Sequence, residues 1–254
     1  MARVARLTVY PVKGLDAHDL DAVRLLSGGT LAHDRAYALV DADGTRWNAK
    51  QSALFHRLDA DYEPETAPRP ATHADATPRS DLPAERDRAG DWFSDLFDAD
   101  LGFGHDAALG PVDRRRAGPS VTSTATVETV AGWFDDLAPA AVRRRMRANV
   151  EVAGVPAFWE DRFVGDGAPA FEAGGVRFEG VEPCARCVVP ERDHETGAHE
   201  PAFRERFVER RRETFPDFAD PEAFDHGYTL MLIARVPEAD RGAALRVGDA
   251  VAVV

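Results

Sequence analysis

The residues best suited to chemistry in this 254-residue chain are its two cysteines, Cys184 and Cys187, which stand in a C-x-x-C arrangement. A cysteine thiolate is both a nucleophile and a soft metal ligand. Two cysteines cannot build a framework of several disulfides, and they cannot supply the four thiolates of an iron-sulfur cluster. We therefore expect the pair to serve chemistry rather than to crosslink the fold.

Three interpretations of the pair follow from the residues alone. A thioredoxin-like redox pair needs its C-x-x-C at the start of a helix, whereas a Val-Val-Pro segment follows here at once. A zinc site would add His194 and His199, but only six residues separate Cys187 from His194, where a zinc finger needs about 12 to 15. The third interpretation is two buried thiols that pack as small hydrophobic side chains. The spacing alone does not choose among them.

The segment P-C-A-R-C-V-V-P-x-x-D-x-x-T-G at residues 183–197 resembles the signature of the MOSC family, named after the C-terminal domain of molybdenum cofactor sulfurase. Four more segments resemble, in the same order, parts of MOSC proteins with an N-terminal β-barrel domain, such as the mitochondrial amidoxime-reducing component and its bacterial relatives. They are V-Y-P-V-K-G at 9–14, L-A-H-D-R-A-Y-A-L-V-D-A-D-G at 31–44, R-M-R-A-N-V-E-V at 145–152 and R-V-G-D-A-V-A-V-V at 246–254. The resemblance covers nearly the whole chain except about residues 62–110.

The resemblance implies a molybdenum cofactor, a molybdopterin, and assigns roles to individual residues. Cys187 matches the position of the metal ligand and is the expected catalytic residue, while Cys184 is expected to line the pocket or to act as an oxidation partner. The pterin carries a phosphate, for which the planar fork of arginine is a suitable bidentate donor. By the resemblance, the residues that bind the cofactor are Lys13, Arg35, Arg147, Asn149 and Arg186.

Two hydroxyl residues, Ser123 and Thr124, precede a predicted helix and are further candidates for binding the cofactor. A hydroxyl there can cap free backbone N–H groups, and a helix N-terminus also attracts anions. Asp34 next to Arg35 is expected either to orient that arginine or to cap a hairpin. The residues alone do not decide whether the hydroxyls cap the helix or bind the cofactor, nor which of the two roles Asp34 has.

The elements that must position these residues are mostly strands. Residues 3–12 and 36–41 are rich in Val, Leu and Tyr, and Asp43-Gly44 predicts the tight turn of a hairpin. Further strands are predicted within 149–155, 175–182, 228–236 and 244–254, and amphipathic helices within 91–98, 125–137 and 201–213. Short strands without regular βαβ alternation favour a barrel or barrel-like sheet over a Rossmann arrangement.

The predicted fold class is therefore mainly β with a few helices (α+β). An N-terminal β-barrel-like domain over residues 1–90, ending in a proline-rich loop, is followed by a MOSC β-barrel domain over residues 91–254. That loop, residues 63–90, holds five prolines and no apolar periodicity, so we expect it to be exposed.

Composition narrows the function classes. A net charge of −13 repels nucleic acid. No stretch approaches the roughly 18 apolar residues of a membrane helix, and the N-terminus has no signal-like apolar block, so we expect a cytoplasmic protein that binds neither nucleic acid nor membrane. Only two of the 31 basic residues are lysines, Lys13 and Lys50. GC-rich coding and a halophilic, high-salt cytoplasm both explain that bias.

The leading hypothesis is a molybdenum-dependent oxidoreductase that reduces small N-hydroxylated compounds. Because the chain has no cysteines for a cluster of its own, a separate electron donor is implied, either a ferredoxin or a flavin reductase. The alternative is a sulfur-transfer or cofactor carrier protein that holds a persulfide on Cys187 and needs a partner desulfurase. No lysine stands in a recognisable setting for pyridoxal phosphate, the cofactor of the sulfurase's separate domain. Whether the protein is an enzyme or a carrier stays open at this stage.

Overall fold

The structure, a computed structural model, describes residues 1–58, 60, 85–106 and 118–254. Within these residues it contains 13 strands and four α-helices. The strands are β1 (Arg3–Val9), β2 (His18–Leu20), β3 (Ala22–Arg24), β4 (Tyr37–Asp41), β5 (Arg46–Trp47), β6 (Leu101–His105), β7 (Ser120–Ser123), β8 (Val150–Ala153), β9 (Ala170–Ala173), β10 (Val176–Ala185), β11 (Thr229–Arg235), β12 (Ala244–Arg246) and β13 (Val251–Val253). The helices are α1 (Arg86–Phe97), α2 (Thr124–Ala131), α3 (Pro139–Met146) and α4 (Phe203–Glu213). The predicted fold class is confirmed.

The main sheet has eight strands in the order β13-β9-β10-β11-β7-β8-β1-β2, and all neighbours are antiparallel except β7 and β8. It curls back on itself, because the start of β1 bonds to the residues that precede β13. The Val4 N–H donates to the Asp249 carbonyl at 2.8 Å, and the Gly248 N–H donates to the Val4 carbonyl at 2.8 Å. This closure makes the sheet barrel-like, as predicted.

Strand β11 shows how one sheet separates two cores. Six of its seven residues are buried, which is typical of a strand covered on both faces. Leu232 and Ala234 pack into the barrel core, whereas Met231 and Ile233 pack against the cluster under α2, α3 and α4. A third core lies beneath β4, β6 and α1.

The predicted hairpin is confirmed, with β4 and β5 paired through Leu39 and Trp47. Its turn needs Gly44, whose φ of +78° lies in the left-handed region. The helices predicted around 91–98, 125–137 and 201–213 are also present, although α2 ends at Ala131. The amphipathic pattern of 91–98 also predicts Leu96 on the buried face of the helix, and this is wrong. Leu96 is exposed, whereas Ala89 and Phe93 are the α1 residues buried in the third core.

The predicted boundary between residues 90 and 91 stays a prediction. Helix α1 runs through that position, and β6 pairs with β4 of the N-terminal segment. Most of the predicted proline-rich loop lies outside the described residues. Its last residues, 86–90, are not loop but the first residues of α1, because Ala89 and Gly90 are buried against the third core. In the described ranges, no helix combines the length and the apolar character needed to cross a bilayer.

Candidate functional site

One cavity of about 770 Å³ collects most of the residues singled out above. Both cysteines and both lysines of the chain line it, together with segments from the N-terminal part and from the second half. Its cationic lining residues are Lys13, Lys50, Arg35, Arg57, Arg144, Arg147 and Arg186, against the three carboxylates Asp16, Asp34 and Glu195. In a chain of net charge −13, the cavity is thus a local site of positive charge suited to an anionic ligand.

The two cysteines reach the cavity from the end of β10. Cys184 is a buried residue of that strand, and Cys187 is half-buried just beyond it; both are free thiols. The pairing of β10 with β11 is prolonged by the Arg186 N–H, which donates to the Tyr228 carbonyl at 2.9 Å. The pair does not begin an α-helix, since a short 3-10 turn, Val189–Glu191, follows it. The thioredoxin-like geometry is therefore absent here.

Arg186 contacts the thiol of Cys184. Its Nη1 lies 3.1 Å from Cys184 Sγ, and its Nη2 donates to the Met146 carbonyl at 3.0 Å. Its Nε is buried without a hydrogen-bond partner among the described residues. A buried donor without a partner costs about 1 to 3 kcal/mol, so this atom is suited to a polar group of a bound ligand.

Arg35 and Arg147 converge on one aromatic ring. Their guanidinium carbons lie 4.8 and 4.0 Å from the centroid of Tyr10, within the range of cation–π interactions. Asp34 accepts from Arg35 Nη1 at 2.5 Å and from the Tyr10 N–H at 3.0 Å, so it does orient Arg35. Arg147 Nη2 donates to the Leu15 carbonyl at 2.6 Å. Burial raises the pKa of Tyr10 to about 12 despite the two arginines, so its hydroxyl stays neutral.

The backbone at both arginines is left-handed, with φ of +49° at Arg35 and +61° at Arg147. For a residue with a side chain this conformation costs roughly 1 to 3 kcal/mol and tends to mark functional sites. Met231, which also lines the cavity, has a φ of +77°. Three residues that line the cavity with Tyr10 and the cysteines therefore have a left-handed backbone.

Lys13 and Asn149 also line the cavity. Lys13 is 7% exposed. The side-chain amide of Asn149 forms hydrogen bonds with protein groups. Its Oδ1 accepts from the N–H and the hydroxyl of Ser120, and its Nδ2 donates to the Thr8 carbonyl at 3.1 Å. These bonds fix the start of β8, and with it the neighbouring Arg147.

Ser123 and Thr124 are not among the residues that line the cavity. Ser123 Oγ accepts from the Thr126 N–H at 3.0 Å and caps α2. The Thr124 hydroxyl donates to Glu151 at 2.8 Å. The capping role is therefore confirmed for Ser123, and the structure does not bring either hydroxyl to the other predicted residues.

Several lining residues were missed by sequence reasoning. The polar segment after the cysteines predicts an exposed turn at His194, but the His194 side chain is 18% exposed and lines the cavity. His56, Arg57 and Arg144 carry no signal in the sequence that would single them out. Lys50 did carry one, because the rarity of lysine that points to Lys13 applies equally to it.

A run of arginines is typical of a solvated face, which the sequence predicts at 114–116, 143–145 and 210–212. For Arg145 and Arg211 this prediction is wrong, because both are buried. Arg145 is 4% exposed and donates to the Pro190 carbonyl at 2.9 Å and to Glu200 at 2.5 Å. It thereby fastens the segment after the cysteines to α3. Arg211 is likewise buried, in an ion pair with Asp161. The run at 114–116 lies outside the described residues.

The protein ligands for a zinc site are not assembled in the part of the chain that the structure describes. No group of three or more His, Cys, Asp or Glu side chains is arranged there to hold a metal ion. His199, one of the proposed ligands, instead lies 3.2 Å from Glu191. A ligand that brings its own metal and needs one thiolate is compatible with this arrangement.

Comparison with known families identifies the class of protein. Residues 119–252, more than half of the chain, match the MOSC domain, and residues 1–76 match the MOSC N-terminal beta barrel domain. The chain therefore belongs to the MOSC domain family, as the five segments predict. In that family the MOSC domain is associated with binding of the molybdenum cofactor.

Two solved structures are similar to the chain. YuaD from Bacillus subtilis is 14% identical, with 98% of this chain and 93% of that chain covered and a TM-score of 0.40. YiiM from Geobacillus stearothermophilus is 12% identical, with a TM-score of 0.35. The alignment with YiiM covers 55% of each chain, so it spans about half the length of YiiM. No curated protein matches the chain.

Proposed function

We propose that this protein binds a molybdenum cofactor, with Cys187 as the protein's ligand to the metal, and acts as an oxidoreductase on small N-hydroxylated compounds. The observation that carries the proposal is that Cys187 shares one cavity with Lys13, Arg35 and Arg147. A soft thiolate and a set of phosphate donors are the two things that an anionic pterin with a metal needs from a protein.

The two thiols are not equivalent, which supports Cys187 as the ligand. Cys184 is buried and contacts the Arg186 guanidinium. Cys187 is less buried, and its sulfur has no hydrogen bond among the described residues. It is therefore the thiol available to a ligand in the cavity.

The cationic residues fit the phosphate of the cofactor. Arg35 is fixed by Asp34, and Arg147 by the Leu15 carbonyl, so both guanidiniums are held in place before a ligand arrives. Lys13 adds a buried point charge, and the partnerless Nε of Arg186 adds a donor next to the cysteines. Preorganised donors of this kind lose little entropy when they bind an anion.

The bound cofactor would supply two-electron reduction of the substrate. The chain's own residues would hold the phosphate, supply the thiolate and exclude water from the inner end of the cavity. Since both cysteines lie in this cavity, the electrons would come from a separate donor protein, a ferredoxin or a flavin reductase. The competing function, a sulfur carrier, would use the same Cys187 thiol for a persulfide.

The test compares the parent protein with Cys187→Ser and Cys184→Ser, each produced in a host that makes the cofactor. We expect molybdenum and pterin bound to the parent, loss of molybdenum from Cys187→Ser, and retention in Cys184→Ser, because a serine hydroxyl is a poor soft donor. The near-identical volume of serine keeps the fold, which circular dichroism checks. Equal molybdenum content in Cys187→Ser and parent would refute the ligand assignment. A parent without molybdenum whose Cys187 carries one extra sulfur by mass spectrometry would establish the carrier instead.

A further inference from the structure

We propose that the mouth of the cavity binds an anionic oxygen group of the substrate, so that the compound reduced here carries a carboxylate or a phosphate. This inference rests on the proposed function and names its substrate class. The residues that we call the mouth are Lys50, Arg57, Arg144, His56 and His194, all of which line the cavity.

The mouth arginines differ from the inner arginines in what they contact. Arg35, Arg147 and Arg186 each donate to a protein atom. Arg57 and Arg144, which are exposed, form no hydrogen bond and no ion pair with any described residue. Other exposed arginines among the described residues, such as Arg212 and Arg246, have no carboxylate partner either, but they do not line the cavity. We infer that the guanidiniums of Arg57 and Arg144 are available to bind a ligand there.

The cavity lining has fewer carboxylates than cations, three against seven. Asp16 accepts from the Ala60 N–H at 2.9 Å. Glu195 is 74% exposed and lies 3.7 Å from the His194 ring. Lys50, Arg57 and Arg144 therefore add positive charge beyond that of the inner cations.

The two histidines supply an independent observation that points to a ligand. His56 Nε2 and His194 Nδ1 are buried and have no hydrogen-bond partner among the described residues. Burial and nearby arginines lower the pKa of both rings, that of His56 to about 4. The rings are thus neutral at pH 7, and they offer hydrogen bonds in a region of positive potential. The charged groups that face them are Arg144, Arg145, Arg147, Arg192, Asp193 and Glu195.

The three features favour one kind of ligand. Free guanidiniums bind a carboxylate or phosphate bidentately, which a neutral compound cannot exploit. The neutral imidazoles would add hydrogen bonds to the same ligand without repelling it. An anionic group at the mouth also keeps the substrate's other end directed inward, toward the cysteines.

The experiment uses the cofactor-loaded protein and three probes: benzamidoxime, its 4-carboxylate derivative and its 4-phosphate derivative. We expect the parent to have a lower KM and a lower Kd by calorimetry for a charged probe than for the neutral one. Arg57→Gln and Arg144→Gln should each reduce this preference roughly tenfold, since each variant loses a charge-assisted hydrogen bond to the anionic group. The matched control Arg210→Gln, on exposed α4 and paired with Glu213, should leave the preference unchanged. Whichever charged probe is preferred identifies the group.

The outcomes separate the two proposals. Equal KM and Kd values for charged and neutral probes in the parent, or an undiminished preference in both mouth variants, would overturn the anionic substrate and leave the oxidoreductase standing. A protein that contains no molybdenum would refute the proposed function. In that case calorimetry with the charged probes still tests the mouth, because binding does not depend on turnover.

Discussion

At the scale of single residues, the site depends on two arginines held in a conformation that arginine rarely adopts. Arg147 ends α3 with φ +61° and ψ +47°, and this turn is what directs its guanidinium over Tyr10. A glycine would adopt the same backbone without cost. We infer that the strained backbone at Arg147 is tolerated because it positions the guanidinium. The free energy of unfolding of suitable variants measures this strain.

We predict that Arg147→Gly is more stable than Arg147→Ala by about 1 kcal/mol, because both lose the same contacts and only alanine keeps the left-handed strain. Both variants should lose cofactor affinity roughly tenfold or more. Urea unfolding measures the first effect, and pterin content the second. The control pair is Arg143→Gly and Arg143→Ala within α3, where glycine should be the less stable by about 1 kcal/mol. If alanine equals glycine at position 147, the backbone there is not strained.

At the scale of elements, a buried carboxyl joins three of them. Glu160, in the 3-10 turn Trp159–Phe163, is 1% exposed and accepts from the hydroxyls of Thr122 on β7 and Thr126 on α2. Neither partner is a cation. Burial accordingly raises the pKa of Glu160 to about 7.

The raised pKa sets the sign of a pH effect. A carboxyl whose pKa is higher in the folded state than its unfolded value of about 4.3 stabilises fully below that value, and the contribution is lost as the pH rises through about 7. Glu160→Gln cannot ionise, so we predict that its melting temperature gains on the parent's between pH 5 and pH 8. The control is Glu209→Gln on the exposed side of α4, which should follow the parent. Parallel curves for Glu160→Gln and parent would contradict the prediction.

At the scale of the whole molecule, the net charge of the chain and the charge of the cavity lining have opposite signs. The net charge is −13, yet cations dominate the cavity. Repulsion among exposed carboxylates falls with salt, since the Debye length shrinks from about 10 Å at 0.1 M to about 3 Å at 1 M. The buried inner cations are screened much less.

We predict that the melting temperature rises between 0.1 and 3 M potassium chloride while cofactor affinity changes little. Screening should be nearly complete by about 1 M, so a continued rise would indicate exclusion of salt from apolar surface and cation binding by the acidic shell. Thermal unfolding followed by circular dichroism provides the measurement. A flat or falling melting temperature would leave GC-rich coding as the explanation of the missing lysines.

The sequence by itself determined what depends on neighbouring residues. The β4–β5 hairpin, the strands, the helices and the order of the five family segments follow from periodicity, turn residues and motif spacing. So do the family and the chemical character of Cys187, Lys13 and Arg35. These are local properties, and a local pattern is enough to predict them.

Only the tertiary structure decided which distant residues meet. Lys50, His56 and Arg144 line one cavity with Cys187, although the four residues come from separate segments of the chain. Arg145 was expected in solvent but is buried by the loop that it fastens, and Ser123 was expected near the cofactor but caps α2. Nothing in the periodicity of one segment encodes its distance from another. That distance is set by closure, packing and register across the whole chain.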